Sequence, residues 1–529
     1  MAQVGSVIYF PFKETRCTFR LNKSMRPFYS FVFFFSAIST FAQTDLDKVR
    51  SYRTKNELSI YGDFVSFLQI PNVATDTANI RKNADYLVQM MNAKGIANVQ
   101  LLEADDRLVP PVVYGEFNVA NATQTVVFYA HYDGQPVNPA TWAKGLHPFR
   151  PQLLNGRFDE GATPQSPSFP LNDDWRIYAR GASDDKGGVM AILTAFSAIK
   201  ESGIKFPYNV KFFFEGEEEQ GSPHLAQILH KNKALLQSTL WIICDGPVHQ
   251  SGRKQVVFGA RGDAHLTLKI YGPKSPLHSG HYGNWVPNPV MSLAKLLASM
   301  KDDSGQVTVK NFYDDVIPLS ATEKKALANI PNVEGDLKKR LGFVTEDMKG
   351  KSLNEAINLP SLNVNGIESS NVGTIQANVI PISATAVIDL RLVLGNDWKR
   401  QQQKVINHII GQGFYVTENA PTDEERMKYT KIVQVTRGVG NNAQRTSMDW
   451  PLAQKISSAV QQTTTEPVLQ VPTLGGSLPV DDLVNVLNAK FLIVPIANSD
   501  NNQHAENENV RIRNFRDGID IMASIMLMK

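Results

Sequence analysis

Four short runs of aromatic, β-branched and aliphatic residues set the limits on this fold: VVFYA (126–130), VKFFF (210–214), LWIIC (240–244) and FLIVP (491–495). A strand with one wet face alternates apolar and polar residues, and these runs scarcely do. They read as strands buried on both faces, which occur where helices cover both sides of a mainly parallel sheet. The segment 186–200 (KGGVMAILTAFSAIK) is long and apolar enough for the crossover helix such a sheet requires. Residues 46–95 read as helical with a break near Pro71. The expectation is an α/β sheet flanked by helices.

A chain of 529 residues exceeds one ordinary core, so more than one domain is expected. A second rhythm begins near Asp263: a strand over 265–272, a helix over 289–300, strands over 373–378 and 384–393, a helix over 398–410 and a strand over 414–418. This β-α-β-β-α-β order predicts a ferredoxin-like α+β insert, interrupted by a charged helical excursion at 302–365. The α/β pattern resumes near Pro451. The reading is a catalytic domain in two pieces, 43–260 and 439–529, with 261–438 inserted between them.

A net charge of +3 with no basic stripe gives no reason to expect nucleic acid. Two cysteines, Cys17 and Cys244, exclude a disulfide framework and a thiolate metal cluster. Arg20, Lys23 and Arg26 precede the apolar run 28–41, which closes on Ala42. Basic, apolar, small is the order of a secretory signal, and the run is shorter than the roughly 20 residues of a membrane span. Residues 1–42 are therefore expected to be a signal peptide, with 1–24 a doubtful extension before Met25. The mature protein would be exported, periplasmic or secreted, without stable membrane insertion.

The polar residues just past the apolar runs carry the chemistry. His131-Tyr132-Asp133 follows the first, Glu215-Gly216-Glu217-Glu218-Glu219 the second, Asp245-Gly246 the third, and His504 comes soon after the fourth. A Gly-rich turn, 179–188, delivers Asp184 at a helix entry. This is the sheet edge where open α/β folds place ligands. Singly, each residue has a plainer reading: a structural histidine, a solvated acid run, a helix cap. Together, imidazoles and carboxylates crowded on one edge call for cations between them. Donors of N and O type suit Zn2+, and also Mn2+ or Co2+. The 180–188 turn lacks the Gly-x-x-x-x-Gly-Lys-Ser/Thr spacing of a phosphate loop.

His131-Tyr132-Asp133, the stretch Arg180-Gly181-Ala182-Ser183-Asp184-Asp185-Lys186-Gly187, Glu218-Glu219-Gln220-Gly221-Ser222, Asp245 and His504 together resemble the ordered motifs of the M20 metallopeptidases. They are most similar to the carnosinase-like branch, the type of the cytosolic non-specific dipeptidases. Gly134-Gln135-Pro136, Trp142, Pro148-Phe149 and the 475–480 stretch add to this, and the resemblance spans about residues 50–525. It implies a zinc-peptidase-like catalytic domain and makes the insert a lid and dimerisation domain. It further implies two divalent cations, Asp184 bridging both, His131 and Asp245 on one, Glu219 and His504 on the other. Asp133 would orient His131, and Glu218 would be the general base acting on a water between the cations. His278, in Leu277-His278-Ser279-Gly280, resembles a lid histidine that stabilises the oxyanion of a neighbouring subunit, which implies a homodimer. Asn378 and Arg391 resemble substrate contacts; Arg391 could clamp a C-terminal carboxylate, and Gly475, Gly476 and Ser477 could bring backbone close to it.

The function expected is a dipeptidase-like metallopeptidase acting next to a free C-terminal carboxylate. An N-acyl-amino-acid deacylase is the alternative, since the same chemistry cleaves acyl amides. A non-catalytic binding relative is more remote: it predicts loss of ligands or base, and His131, Asp184, Glu218, Glu219, Asp245 and His504 are all present.

Overall fold

The computed structural model describes residues 44–529. The signal-peptide reading falls on residues outside that range. All four apolar runs lie in one eight-stranded sheet. Its order is Ala97–Leu102, Val112–Phe117, Asn209–Glu215, Thr125–His131, Leu240–Ile243, Phe491–Ile493, Gln255–Val257 and Leu469–Val471. The central strands Asn209–Glu215, Thr125–His131, Leu240–Ile243 and Phe491–Ile493 run parallel. Val112–Phe117 joins antiparallel, so the sheet is mixed and mainly parallel.

Successive side chains on these strands enter two different cores. Phe128, Phe212 and Ile242 pack on one face with helices Lys186–Glu201 and Ile512–Met526. Val127, Phe213 and Trp241 pack on the other with helices Leu225–Lys231 and Val480–Leu487. Burying both faces is why the runs fail to alternate. Each fully buried Leu or Phe contributes about 1.5–3 kcal/mol, so the strand positions are firmly set.

A second sheet has five strands, ordered Ser361–Glu368, Ser383–Leu392, Gly262–Tyr271, Ile432–Arg437 and Tyr415–Thr417. Leu266, Ile388 and Leu390 face a separate core with Leu293 and Leu296 of helix Pro289–Ala298 and Val405 and Ile409 of helix Trp398–Gly411. The first four strands have the 2-3-1-4 order of a ferredoxin-like sheet, but two expected strands are displaced. Residues 373–378 form a 3-10 turn, Gly373–Ile375, and exposed coil; the second strand is Ser361–Glu368, which begins inside the stretch read as helical. The apolar side chains of segment 369–378, Val372 and Ile375, stay exposed, whereas Leu362 and Val364 reach the core. The fourth position belongs to Ile432–Arg437, whose Val433 and Val435 are buried. Tyr415–Thr417 is an added parallel edge strand, half-exposed throughout. No described helix is long and apolar enough to cross a membrane.

Candidate metal centre

Strand ends and one glycine-rich turn build the site. His131 is the last residue of its strand and fully buried. The helix Lys186–Glu201 starts at the next layer, and its cap is Asp185, whose carboxylate accepts Gly188 N–H at 3.1 Å and His131 N–H at 3.3 Å. Asp185 thus takes the capping role that Asp184 could have filled, and Asp184 is free to point between two imidazoles. Its Oδ1 lies 3.0 Å from His131 Nε2 and its Oδ2 3.1 Å from His504 Nε2.

Two triads meet at that carboxylate: His131, Asp184 and Asp245, and Asp184, Glu219 and His504. In each, one donor atom per residue lies within 4.8 Å of the others. His504 Nε2 is 3.2 Å from Glu219 Oε2. Asp133 lies 3.3 Å from His131 Nδ1, a charge contact outside hydrogen-bond alignment. Its carboxylate also accepts the backbone N–H groups of Glu218 and Glu219, at 3.2 and 3.0 Å. One carboxylate therefore positions a ligand candidate and the adjacent Glu-Glu turn. Glu218 Oε2 stands 3.9 Å from His131 Nε2.

The electrostatics fit cations. Burial pushes Asp245 up to about 7, with Asp184 adding to the effect. Burial raises Glu218 well above the carboxylate range, a rise His131 only partly offsets. Burial would raise Asp184 too, but hydrogen bonds to His131 and His504 outweigh it and hold it well below the usual range. The same contact with Asp184, then Glu219, lifts His504 to about 10. Glu219 Oε1 is buried without a hydrogen bond among the described residues, an unmet acceptor a cation would satisfy. The donors are imidazole nitrogen and carboxylate oxygen; Cys244 is buried and free beside Asp245 but belongs to neither triad. This set fits two divalent cations sharing Asp184.

Glu508 lies in none of the sequence motifs. Its carboxylate is fully buried and accepts from Arg180 Nη1 (2.7 Å), Ser183 N (2.9 Å), Ser183 Oγ (2.9 Å), Gly181 N (3.0 Å) and Asp184 N (3.0 Å). It ties the turn bearing Asp184 to the loop bearing His504. His504 itself sits at φ 62°, a left-handed conformation costing a non-glycine residue on the order of 1 kcal/mol. Gln135, part of the Gly134-Gln135-Pro136 turn, has a contact the sequence does not announce: its Nε2 donates to Glu219 Oε2 at 2.8 Å. An acid four residues past a histidine, or a glutamine after a turn, has no spacing signature of its own.

Asp184, Glu218, Glu219, Asp245 and His504 line a cavity of about 500 Å³ together with Arg391, Gly476 and Ser477. Arg391 donates from Nε to Asp389 and from Nη1 to Ser477 Oγ, both at 3.1 Å. Gly475 lies outside this lining; a Cβ there would meet Ile357 at 3.3 Å. His278 and Asn378 are also outside it. They are exposed neighbours on a short ladder in which Leu277 pairs with Ile380 and His278 with Val379, and Ser279 N–H donates to Asn378 O.

Against known proteins, the family model "Peptidase family M20/M25/M40" matches residues 127–528. The Cys-Gly metallodipeptidase of Candida albicans is 26% identical over 85% of this chain and 90% of its own length. The Beta-Ala-His dipeptidase of Homo sapiens is 25% identical over 81% and 79%. Among solved structures, an M20 family metallo-carboxypeptidase from Sulfolobus solfataricus superposes with a TM-score of 0.73 at 27% identity, covering 89% of this chain and 98% of that one. Export, expected from the 28–41 run, is overturned: the fungal Cys-Gly metallodipeptidases aligned with most of this chain are cytosolic enzymes. A basic, apolar, small order is compositional, and a short run can satisfy it without being a cleaved signal. With two groups of potential metal ligands meeting at Asp184 and a family match that runs from residue 127 to 528, the chain belongs to peptidase family M20/M25/M40, as a dipeptidase-like metallopeptidase.

Proposed function

We propose that this metallopeptidase hydrolyses dipeptides and other short peptides carrying a free C-terminal carboxylate, with Glu218 as general base. The observation that carries the reading is that one cavity is lined by Asp184, Asp245, Glu219 and His504, four of the five triad residues, and by the Arg391–Ser477 pair. Arg391 keeps Nη2 without a protein hydrogen bond among the described residues, a donor suited to a carboxylate. Two cations, Zn2+ with Mn2+ or Co2+ as substitutes, would polarise the scissile carbonyl and acidify the attacking water. His131 and Asp245 would hold one, Glu219 and His504 the other, and Asp184 both. Glu218 takes the proton of the water and returns it to the leaving nitrogen; burial that raises its pKa suits it to carry that proton. Asp133 keeps Glu218 in place through the backbone contact described above.

On this reading residues 43–260 and 439–529 are the catalytic unit and 261–438 the lid. His278 serves a second copy of the chain, donating to the developing oxyanion there. Its exposure supports this, as do the exposed apolar side chains of Trp285, Met291, Val372 and Ile375 on the same and adjoining segments.

Amidating the C-terminus of a good dipeptide tests the reading. A charge-assisted hydrogen bond is worth about 1.5–3 kcal/mol, so kcat/KM falls at least about tenfold. Equal turnover of amide and acid removes the clamp. Faster cleavage of N-acetyl amino acids than of any dipeptide assigns the chain to the deacylases instead.

A further inference from the structure

Asp263 lines the same cavity as Arg391. The two are direct partners across antiparallel strands, so their side chains leave the same face of the insert's sheet about 5 Å apart at the backbone. That face is opposite the core, since Ala264 and Leu390, one residue along, are buried in it. Asp263 has little to balance its charge. Asn441 Nδ2 donates to Oδ1 at 3.4 Å, and His265 Nδ1 is 3.8 Å from Oδ2. His265 is held more closely by Asp389, at 3.1 Å through its other ring nitrogen. Among the described residues no lysine or arginine pairs with Asp263. Arg391 itself is shared between Asp389 and Ser477.

A carboxylate here works against an anionic substrate unless the substrate supplies a cation. Where that cation lies follows from connectivity. If Arg391 holds the C-terminal carboxylate, the α-ammonium of a dipeptide is across the scissile bond, beside the ligand triads. The group nearest Asp263 is then the side chain of the C-terminal residue. Resting on the carboxylate-clamp reading above, we propose that Asp263 is a specificity residue selecting peptides whose C-terminal residue is basic, such as lysine or arginine.

The proposal is tested with Ala-Lys, Ala-norleucine and Ala-Glu, which share an N-terminus and differ in the charge facing Asp263. Wild-type enzyme should favour Ala-Lys over Ala-norleucine by about tenfold or more in kcat/KM, with Ala-Glu poorest, and the difference should lie mainly in KM. Asp263→Asn should collapse the Lys-to-norleucine ratio to near one. The same ratio in both proteins overturns the proposal, as does an equal loss on all three peptides, which would make Asp263 a support for Arg391 only. Calorimetric binding of the same peptides to Glu218→Gln protein gives a second readout independent of turnover, with the same preference expected. If wild-type enzyme turns over no dipeptide, the peptidase reading fails; if it turns over all three without preference, only the role of Asp263 fails.

Discussion

Both oxygens of Asp184 are committed to different histidines, and its backbone N–H is committed to Glu508. Glu508→Gln replaces one acceptor oxygen by a donor facing N–H groups and a guanidinium. Glu508 braces two members of the second triad, Asp184 and His504, but only Asp184 of the first, whose His131 and Asp245 remain fixed at their strand ends. Calorimetric titration of metal-depleted protein with Zn2+ should therefore show one site weakened about 10–100-fold and the other much less affected. Equal weakening of both, or of neither, would contradict that division. Within the Glu-Glu turn, Glu218→Gln should keep its metal and lose several orders of magnitude in kcat. Glu219→Gln should instead lose metal affinity, as elemental analysis of dialysed protein would show; reversed phenotypes would exchange their roles. These residues were legible in the sequence because each follows a strand or a turn with a recognisable rhythm. Glu508, Gln135 and Asp185 were not, because a positioning role depends on distances between segments far apart in the chain.

At the scale of elements, the site depends on how closely the helix Lys186–Glu201 approaches the strand ends. A Cβ on Gly188 would lie 2.5 Å from Cys244 O and 2.2 Å from Asp185 Oδ1. Gly188→Ala must push the helix start from the carbonyl preceding Asp245 or disturb the Asp185 cap. A destabilisation of about 1–3 kcal/mol is expected, read as a lower midpoint in urea, with weaker metal binding. An unchanged midpoint would mean the backbone relaxes freely at that contact. The apolar strands and this helix could be read from the chain because burial on both faces leaves an unbroken apolar run. Ser361–Glu368 could not: it is an edge strand with much of its length exposed, so its pattern is mostly polar and follows a charged helical stretch. Ile432–Arg437 alternates, but the shorter Tyr415–Thr417 precedes it and offered itself as the last strand of the motif.

For the whole molecule, the proposed dimer places His278 in a neighbouring site. His278→Ala and Glu218→Gln should each be nearly inactive alone. Co-refolded in equal amounts, half of the dimers are mixed and each has one intact site, so activity should return to about a quarter of wild type per site. A mixture as inactive as its parents, with exchange of subunits demonstrated, would confine His278 to its own chain. Beneath all of this lies the claim that two cations share Asp184. Its most direct measurement is the number of Zn2+ ions bound per chain, followed together with dipeptide hydrolysis as metal-depleted protein is reloaded. Activity should continue to rise until two ions are bound per chain, since on this proposal each triad would hold one. Full activity reached and held at one ion per chain would contradict the account.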